Sequence, residues 1–354
     1  MGEKVQKLRD LRITTVNVCA LRNHVDEILE EVEADCIFVQ ESGLTVYNAG
    51  AVRAGLHRHE VDLTTGPMLD VTARYNGKTK RMFKEGEGSM KGGVAVLHKV
   101  PVIPMEFDVE ELKGTEQEVE EDLASLEEAI RFLKSTKRFQ AVAIPFDEGI
   151  LNVINVYGYS GANSRTEDKV ANEKFLEAVT FVAAGLGDVP TIILGDFNVA
   201  VAKSPTIMGL LEEGWTNAAT LYNMEDEFTF FATEEDEELG QGSVIDHVLL
   251  NPAATPMING MKMGERRRTG GHREINVVLK NVLKNEYGSS FKAPKRSMMD
   301  KENVKSKAER KEVTADIIEE GRREVEELMK KEDLSEAWEK IIQIASRPSA
   351  NRPK

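Results

Sequence analysis

Several short patterns along the 354-residue chain set polar groups directly beside apolar runs. Thr191-Ile-Ile-Leu-Gly-Asp-Phe-Asn198 reads as a buried strand ending at Gly195, with Asp196 and Asn198 emerging together on the turn beyond. Val39-Gln40-Glu41 puts another carboxylate straight after an apolar strand. Asp246 lies inside the otherwise apolar run to Leu250, where a buried carboxylate is costly unless hydrogen-bonded. Gly270-Gly-His272 precedes the Ile275–Leu279 run, and the first strand supplies Asn17. Carboxylates, amides and an imidazole are the groups that hold hard cations and move protons, and sites in α/β proteins are commonly built at strand ends. Taken singly, each has a plainer explanation. Gly-Asp-x-Asn is good turn chemistry, and a lone histidine is more often a satisfied core residue.

The elements that must position these groups follow from the spacing of apolar residues. Strands are expected at Ile13–Val18, Cys36–Val39, Gly93–His98, Ala141–Pro145, Leu151–Tyr157, Thr191–Leu194, Val244–Leu250 and Ile275–Leu279. Asn23 offers a cap for a helix carrying Val25, Ile28, Leu29 and Val32, and a second helix is expected over about 169–184. The alternation of strand and helix predicts an α/β (α+β) domain over 10–283. Residues 105–137 read as an insertion whose Val119, Leu123, Leu126, Ile130 and Leu133 form one helical seam. That seam is expected to pack on its own domain as a surface helix peripheral to catalysis, the sharper alternative being a dock for a protein partner. Residues 284–354 read as a charged linker and a tail of two amphipathic helices, one through Val313, Ile317, Val325 and Leu328 and one through Leu334, Trp338, Ile341 and Ala345. The tail is a second candidate surface for a protein partner.

Charge is uneven along the chain. The formal net charge is −15, yet 106–128 holds eleven acids and one lysine, and 225–238 holds eight acids and no base. The rest is slightly basic, with Lys262, Arg266, Arg267, Arg268 and Arg273 as its densest basic stretch. If both acidic segments sit away from a polyanion's path, the global charge does not exclude DNA or RNA. It does argue against purely electrostatic, nonspecific binding. No apolar run reaches the roughly 18 residues that span a bilayer, no signal-peptide core opens the chain, and Gln6 breaks the myristoylation pattern after Met1-Gly2. No membrane association is expected, and the expected location is intracellular, the nucleus included. Cys19 and Cys36 cannot by themselves form a disulfide scaffold or a zinc site.

The order of the motifs carries more than any one of them. Asn17, Gln40-Glu41, Gly92-Gly93-Val94-Ala95-Val96, Asn155-Val-Tyr157, Gly195-Asp-Phe-Asn198, Asp246 and His272 together resemble the endonuclease/exonuclease/phosphatase superfamily. That superfamily includes pancreatic DNase, apurinic endonucleases, inositol-polyphosphate phosphatases and the endonuclease domains of non-LTR retrotransposons. The resemblance spans roughly residues 10–281 and implies a four-layer αββα sandwich of two mixed sheets.

It also implies roles. Glu41, with Asn17 nearby, would hold magnesium, with manganese as a substitute. Asp196 would orient or deprotonate the attacking water, and Asn198 would position phosphate or water. His272 would donate to a phosphate oxygen while Asp246 holds its other ring nitrogen. Tyr157 would face the substrate, with Tyr159 competing for that assignment. The chain departs from the family at Gly271, where an aspartate usually precedes the histidine. One carboxylate is therefore missing, and Gly271→Asp is expected to strengthen cation binding unless the backbone there has positive φ.

Among substrates, Gly195–Ala200 and the Gly214-Trp-Thr-Asn-Ala218 segment ahead of Phe228-Thr-Phe230 look more like DNA endonucleases of retroelement or repair type than like lipid phosphatases. DNA is the expected partner. The alternatives are another metal-dependent phosphoesterase, acting on RNA or a soluble ester, and a catalytically eroded member kept as an interaction module.

Overall fold

The structure is a computed structural model that describes residues 8–69, 72–76, 81–85, 92–105, 120–146, 149–162, 165–267 and 270–284. The expected tail helices, the acidic residues 106–119, Arg268 and the Met1-Gly2 start lie outside the described residues. In chain order come β1 (Leu8–Asn17), α1 (Val25–Glu31), β2 (Cys36–Gln40), α2 (Ala49–Leu56) and β3 (Asp62–Thr65). A hairpin of β4 (Thr72–Asn76) and β5 (Arg81–Glu85) follows, then β6 (Val94–His98) and the short β7 (Ile103–Pro104). Next are α3 (Glu120–Thr136), β8 (Phe139–Phe146), β9 (Gly149–Tyr157), α4 (Thr166–Gly185), β10 (Thr191–Asp196) and α5 (Pro205–Glu212). The chain continues through β11 (Thr216–Asn217), α6 (Ala218–Leu221), α7 (Glu234–Glu238), β12 (Asp246–Leu250), β13 (Ile258–Arg266) and β14 (Arg273–Lys284).

Twelve of these strands form two six-stranded mixed sheets, ordered β13-β14-β1-β2-β6-β3 and β11-β12-β10-β9-β8-β7. Strand alternation decides what lies between them. Leu11, Ile13, Phe38, Val96, Ile275 and Val277 of the first sheet meet Val142, Val153, Ile192, Leu194, Val248 and Leu250 of the second in one buried layer. The intervening residues face outward. Val16, Ile37, Val39 and Ala95 pack under α1 and α2, while Ile154, Val156, Ile193 and Leu249 pack under α3, α4 and α5. The result is the four-layer αββα sandwich.

The apolar runs located most strands but not their ends. Pairing carries β14 from Arg273 to Lys284, well past its apolar centre, because hydrogen bonds to β1 continue where the side chains turn polar. β13 was not expected at all: only Ile258, Met261 and Met263 of its nine residues are large apolar groups, and it survives by pairing with β14. Asn23 does not cap α1. It falls inside a 3-10 turn, Leu21–Asn23, and His24 precedes the helix with no side-chain cap. In α3, Leu126, Ile130 and Leu133 are buried against α4 and the second sheet, so this seam belongs to the domain's own core. These three side chains are not left for a protein partner; Val119 and the side chain of Leu123 lie outside what is described.

Candidate active site

Register brings the first part of the site together. β10 pairs in parallel with β9 and antiparallel with β12, placing Asp196 opposite both Tyr157 and Asp246. Asp196 is thus the last residue of its strand rather than part of the turn beyond, and Asp246 is the first residue of β12 rather than interior to it. In the other sheet, β1 pairs in parallel with β2, placing Asn17 opposite Gln40, one residue before Glu41. Both sets lie at the same end of the sandwich. The Asn17 amide donates to Asp196 Oδ2 at 2.9 Å, and the Tyr157 hydroxyl donates to Glu41 Oε2 at 3.3 Å. A second polar strut lies behind them. Gln40 Nε2 donates to Asn155 Oδ1 at 2.7 Å, and Asn155 Nδ2 returns to the carbonyls of Val39 and Ala95 at 3.2 Å.

These groups are deeply placed: Asn17 and Asp196 are 1% exposed, Asp246 4% and His272 5%. Buried polar groups need partners, and here they have them. His272 Nδ1 lies 3.0 Å from Asp246 Oδ2 and 3.1 Å from Oδ1, and its Nε2 points towards Asp196 Oδ2 at 3.8 Å. Asp246 is fixed from behind by Thr229, whose hydroxyl accepts the Ile245 and Asp246 amides at 3.0 Å. Phe230 lies against the imidazole with ring centroids 4.7 Å apart. On the turn, the Asn198 amide N–H donates to Asp196 Oδ1 at 2.9 Å, and its side chain donates to the Gly158 carbonyl at 3.2 Å. Asn198 and Glu41 both adopt positive φ (54° and 50°), uncommon for residues with side chains and a mark of a shaped site.

Burial and then the Asp246 carboxylate raise the Asp196 acid to about 7, opposed by His272, the Asn17 amide and the Asn198 N–H. Burial alone would lower the His272 imidazole, but Asp246 and then Asp196 outweigh it and lift it to about 9. The imidazolium therefore carries Nε2–H as a charged donor aimed at the space beside Asp196. Tyr157, pushed upward by burial and by Glu41, keeps its proton.

All the residues singled out by sequence converge here: Asn17, Glu41, Tyr157, Asp196, Asn198, Asp246 and His272. Tyr159 does not. Its ring packs edge-on against Phe175 at 6.1 Å on the helical side. The sequence reading missed Cys19, whose Sγ lies 3.5 Å from Glu41 Oε2 and 3.8 Å from Asn17 Oδ1. It also missed Thr229, although Thr229 sits within the Phe228-Thr-Phe230 segment it had picked out. Two of the 225–238 acids pair with the basic stretch. Glu237 lies 3.5 Å from Arg273 and 3.9 Å from Arg266, and Glu227 lies 3.8 Å from Arg273. Arg267 is buried against Glu274, Glu31 and Glu27. Among the described residues, Arg266, Arg267 and Arg273 of the basic stretch thus lie against glutamates of the protein itself.

Gly271 has φ +74°, and a Cβ there would run into the Phe231 carbonyl oxygen. Its own carbonyl accepts the Phe231 amide at 2.9 Å. An aspartate does not fit this backbone, so restoring the missing carboxylate by Gly271→Asp is no longer expected to help.

The donor set suits a hard divalent ion. Glu41 Oε2 and Asn17 Oδ1 are oxygens flanking one sulfur, and the buried carboxyl groups of Asp196 and Asp246 belong to the same linked set. Asp196, Asp246 and His272 also offer ligand atoms within 4.8 Å of one another. In that trio, however, the Asp246 oxygens and His272 Nδ1 are already engaged with each other.

The family model for the Endonuclease/Exonuclease/phosphatase family matches residues 14–257, and the chain belongs to that family of phosphoesterases. No curated protein matches it by sequence. Among solved structures it is similar to a Neisseria 3′ phosphatase, NExo, bound to a product DNA hairpin, at 19% identity and TM-score 0.53, covering 76% of this chain and 99% of that one. An AP endonuclease from Archaeoglobus fulgidus matches at 17% identity and TM-score 0.55, covering 76% and 99%. The Xenopus laevis APE2 catalytic domain matches at 18% and 0.55, covering 78% and 94%. Among the described residues no helix is long and apolar enough to cross a membrane.

Proposed function

We propose that the protein is a magnesium-dependent phosphodiester hydrolase acting on DNA, an endonuclease of repair or retroelement type. The observation that carries this reading is the linked set Asn17–Asp196–His272–Asp246, in which an ordered carboxylate faces a charged imidazole donor across 3.8 Å. Asp196, held by Asn17 and by the Asn198 N–H, orients water and takes its proton. His272 donates from Nε2 to a phosphate oxygen, and Asp246 fixes its orientation and its charge. Tyr157 and Asn198 line the approach. Glu41 and Asn17 would hold the divalent ion, which when bound neutralises charge building up on the phosphate and the leaving oxygen.

DNA as substrate is supported by the likeness to an AP endonuclease and by the DNA hairpin bound to NExo. Gly271 favours a second reading, a catalytically silent member retained for binding, because a carboxylate expected beside His272 is absent. Plasmid nicking in magnesium against chelator, run beside a phosphate-monoester assay, tests both. Magnesium-dependent nicking supports the endonuclease, monoester turnover alone redirects it to a phosphatase, and neither activity under any metal favours the silent member.

A further inference from the structure

Cys19 stands two residues after Asn17, just past the end of β1, and is half-buried. Its Sγ lies 3.5 Å from Glu41 Oε2 and 3.8 Å from Asn17 Oδ1. The loop opposite leaves it room only because residue 270 is glycine: a Cβ there would come within 2.6 Å of the sulfur. The sulfur thus borders an oxygen of each residue assigned to the divalent ion.

Donors that share one ion sit at set distances from one another. With zinc–sulfur bonds of about 2.3 Å and zinc–oxygen bonds of about 2.1 Å, a tetrahedral site puts sulfur and oxygen about 3.6 Å apart. The two separations here, 3.5 and 3.8 Å, bracket that value. Magnesium is served by oxygen alone, whereas a thiolate selects zinc and ions like it. The chain has one other cysteine, Cys36, which is fully buried in the layer between the sheets, its thiol pushed upward by burial and by Asp35. A sulfur–metal signal from the folded protein therefore reports Cys19.

We propose that Cys19 makes the Glu41–Asn17 pair a mixed oxygen–sulfur site that holds zinc, or a divalent ion of its class, through Sγ. On binding, the S–H bond breaks, sulfur bonds to the ion and the proton leaves to solvent. This rests on the assignment of the ion to Glu41 and Asn17, and deepens it by naming the ion class that this chain's own sulfur adds. The full chain is titrated with cobalt, a zinc substitute that absorbs in the near ultraviolet when bonded to sulfur, and with zinc and magnesium by calorimetry, as wild type, Cys19→Ser and Glu41→Gln. The wild type should develop the sulfur-to-cobalt band, zinc should remove it by displacing cobalt, and Cys19→Ser should lack it. Zinc affinity should fall in Cys19→Ser by at least the roughly 10- to 100-fold that even the hydrogen-bond partners of metal ligands are worth. Magnesium affinity should stay close to wild type, because the hydroxyl that replaces the thiol is an oxygen donor. A folded Cys19→Ser protein with the wild-type cobalt band, or with undiminished zinc affinity, overturns the proposal. Should Cys19→Ser not fold, the wild type decides: a sulfur band sustains the proposal, and cobalt bound without one overturns it. Magnesium binding that Glu41→Gln weakens, with no sulfur band in cobalt, overturns the proposal alone. Wild type that binds none of the three ions overturns the assignment of a metal to Glu41 and Asn17 as well.

Discussion

The Asn17 side-chain amide donates to Asp196 Oδ2 at 2.9 Å and ties the last residue of β1 in one sheet to the last residue of β10 in the other. A site divided between two sheets depends on their relative position, and this bond spans the division. The Gln40–Asn155 strut, at 2.7 Å, does the same one layer further in. Both sit on paired strands rather than free loops, which is how a first layer of reactive groups is held to the needed precision.

Asn17→Ala should therefore reach both stability and rate. Losing one hydrogen bond to a buried carboxylate costs about 1–3 kcal/mol. The misplaced Asp196 should lower cleavage on the order of 100-fold. Urea melts and nicking rates on the same preparation check the two numbers together. A rate within twofold of wild type would show that Asp196 needs no such support.

Asp246 and His272 should behave as one unit. With Asp246 removed the imidazole loses the partner 3.0 Å away that orients and charges it. Either single substitution, Asp246→Asn or His272→Gln, should then cost nearly as much as the pair. Additive losses in nicking rate across the double-mutant cycle would separate the two roles.

The same pair predicts a pH dependence of stability. His272 is raised from 6.5 to about 9, so its contribution is fully present below about pH 6.5 and is lost as pH rises through about 9. In chelator, the melting temperature of the wild type should fall across that window more steeply than that of His272→Gln. Parallel curves would mean that the imidazole is not held charged by its neighbours.

Gly271→Asp should destabilise without restoring anything. At φ +74°, with the Phe231 carbonyl in the path of a Cβ, the substitution costs about 1–3 kcal/mol of local strain. The expected result is a lower melting temperature and no gain in magnesium affinity by calorimetry. A folded variant that binds magnesium more tightly would show that the 270–272 backbone adapts.

The residues of the site were legible because each borders an apolar run, and strand ends are where such runs start and stop. Their order along the chain then identified the arrangement and, with it, the sandwich. Residues that act through backbone geometry left no such trace. Thr229 works by accepting two amides from residues sixteen and seventeen positions further along the chain. The helical seam of α3 was visible in Leu126, Ile130 and Leu133, but its burial makes the helix part of the core. Replacing 108–136 with a linker, harmless for a peripheral insertion, would expose that face of the domain. Charge pairing was hidden for a similar reason: composition shows Glu227 and Glu237 as an acidic segment, and only folding sets them against Arg266 and Arg273.

The most direct test of the central claim is plasmid nicking by the wild type and Glu41→Gln, with magnesium titrated against chelator. The exchange removes one ligand charge with almost no change in shape. The wild type should nick only in the presence of the ion, and Glu41→Gln should need far more magnesium and turn over on the order of 100-fold more slowly. Equal, magnesium-dependent nicking by both proteins would contradict the assignment of Glu41 to the metal, and with it the account of the site.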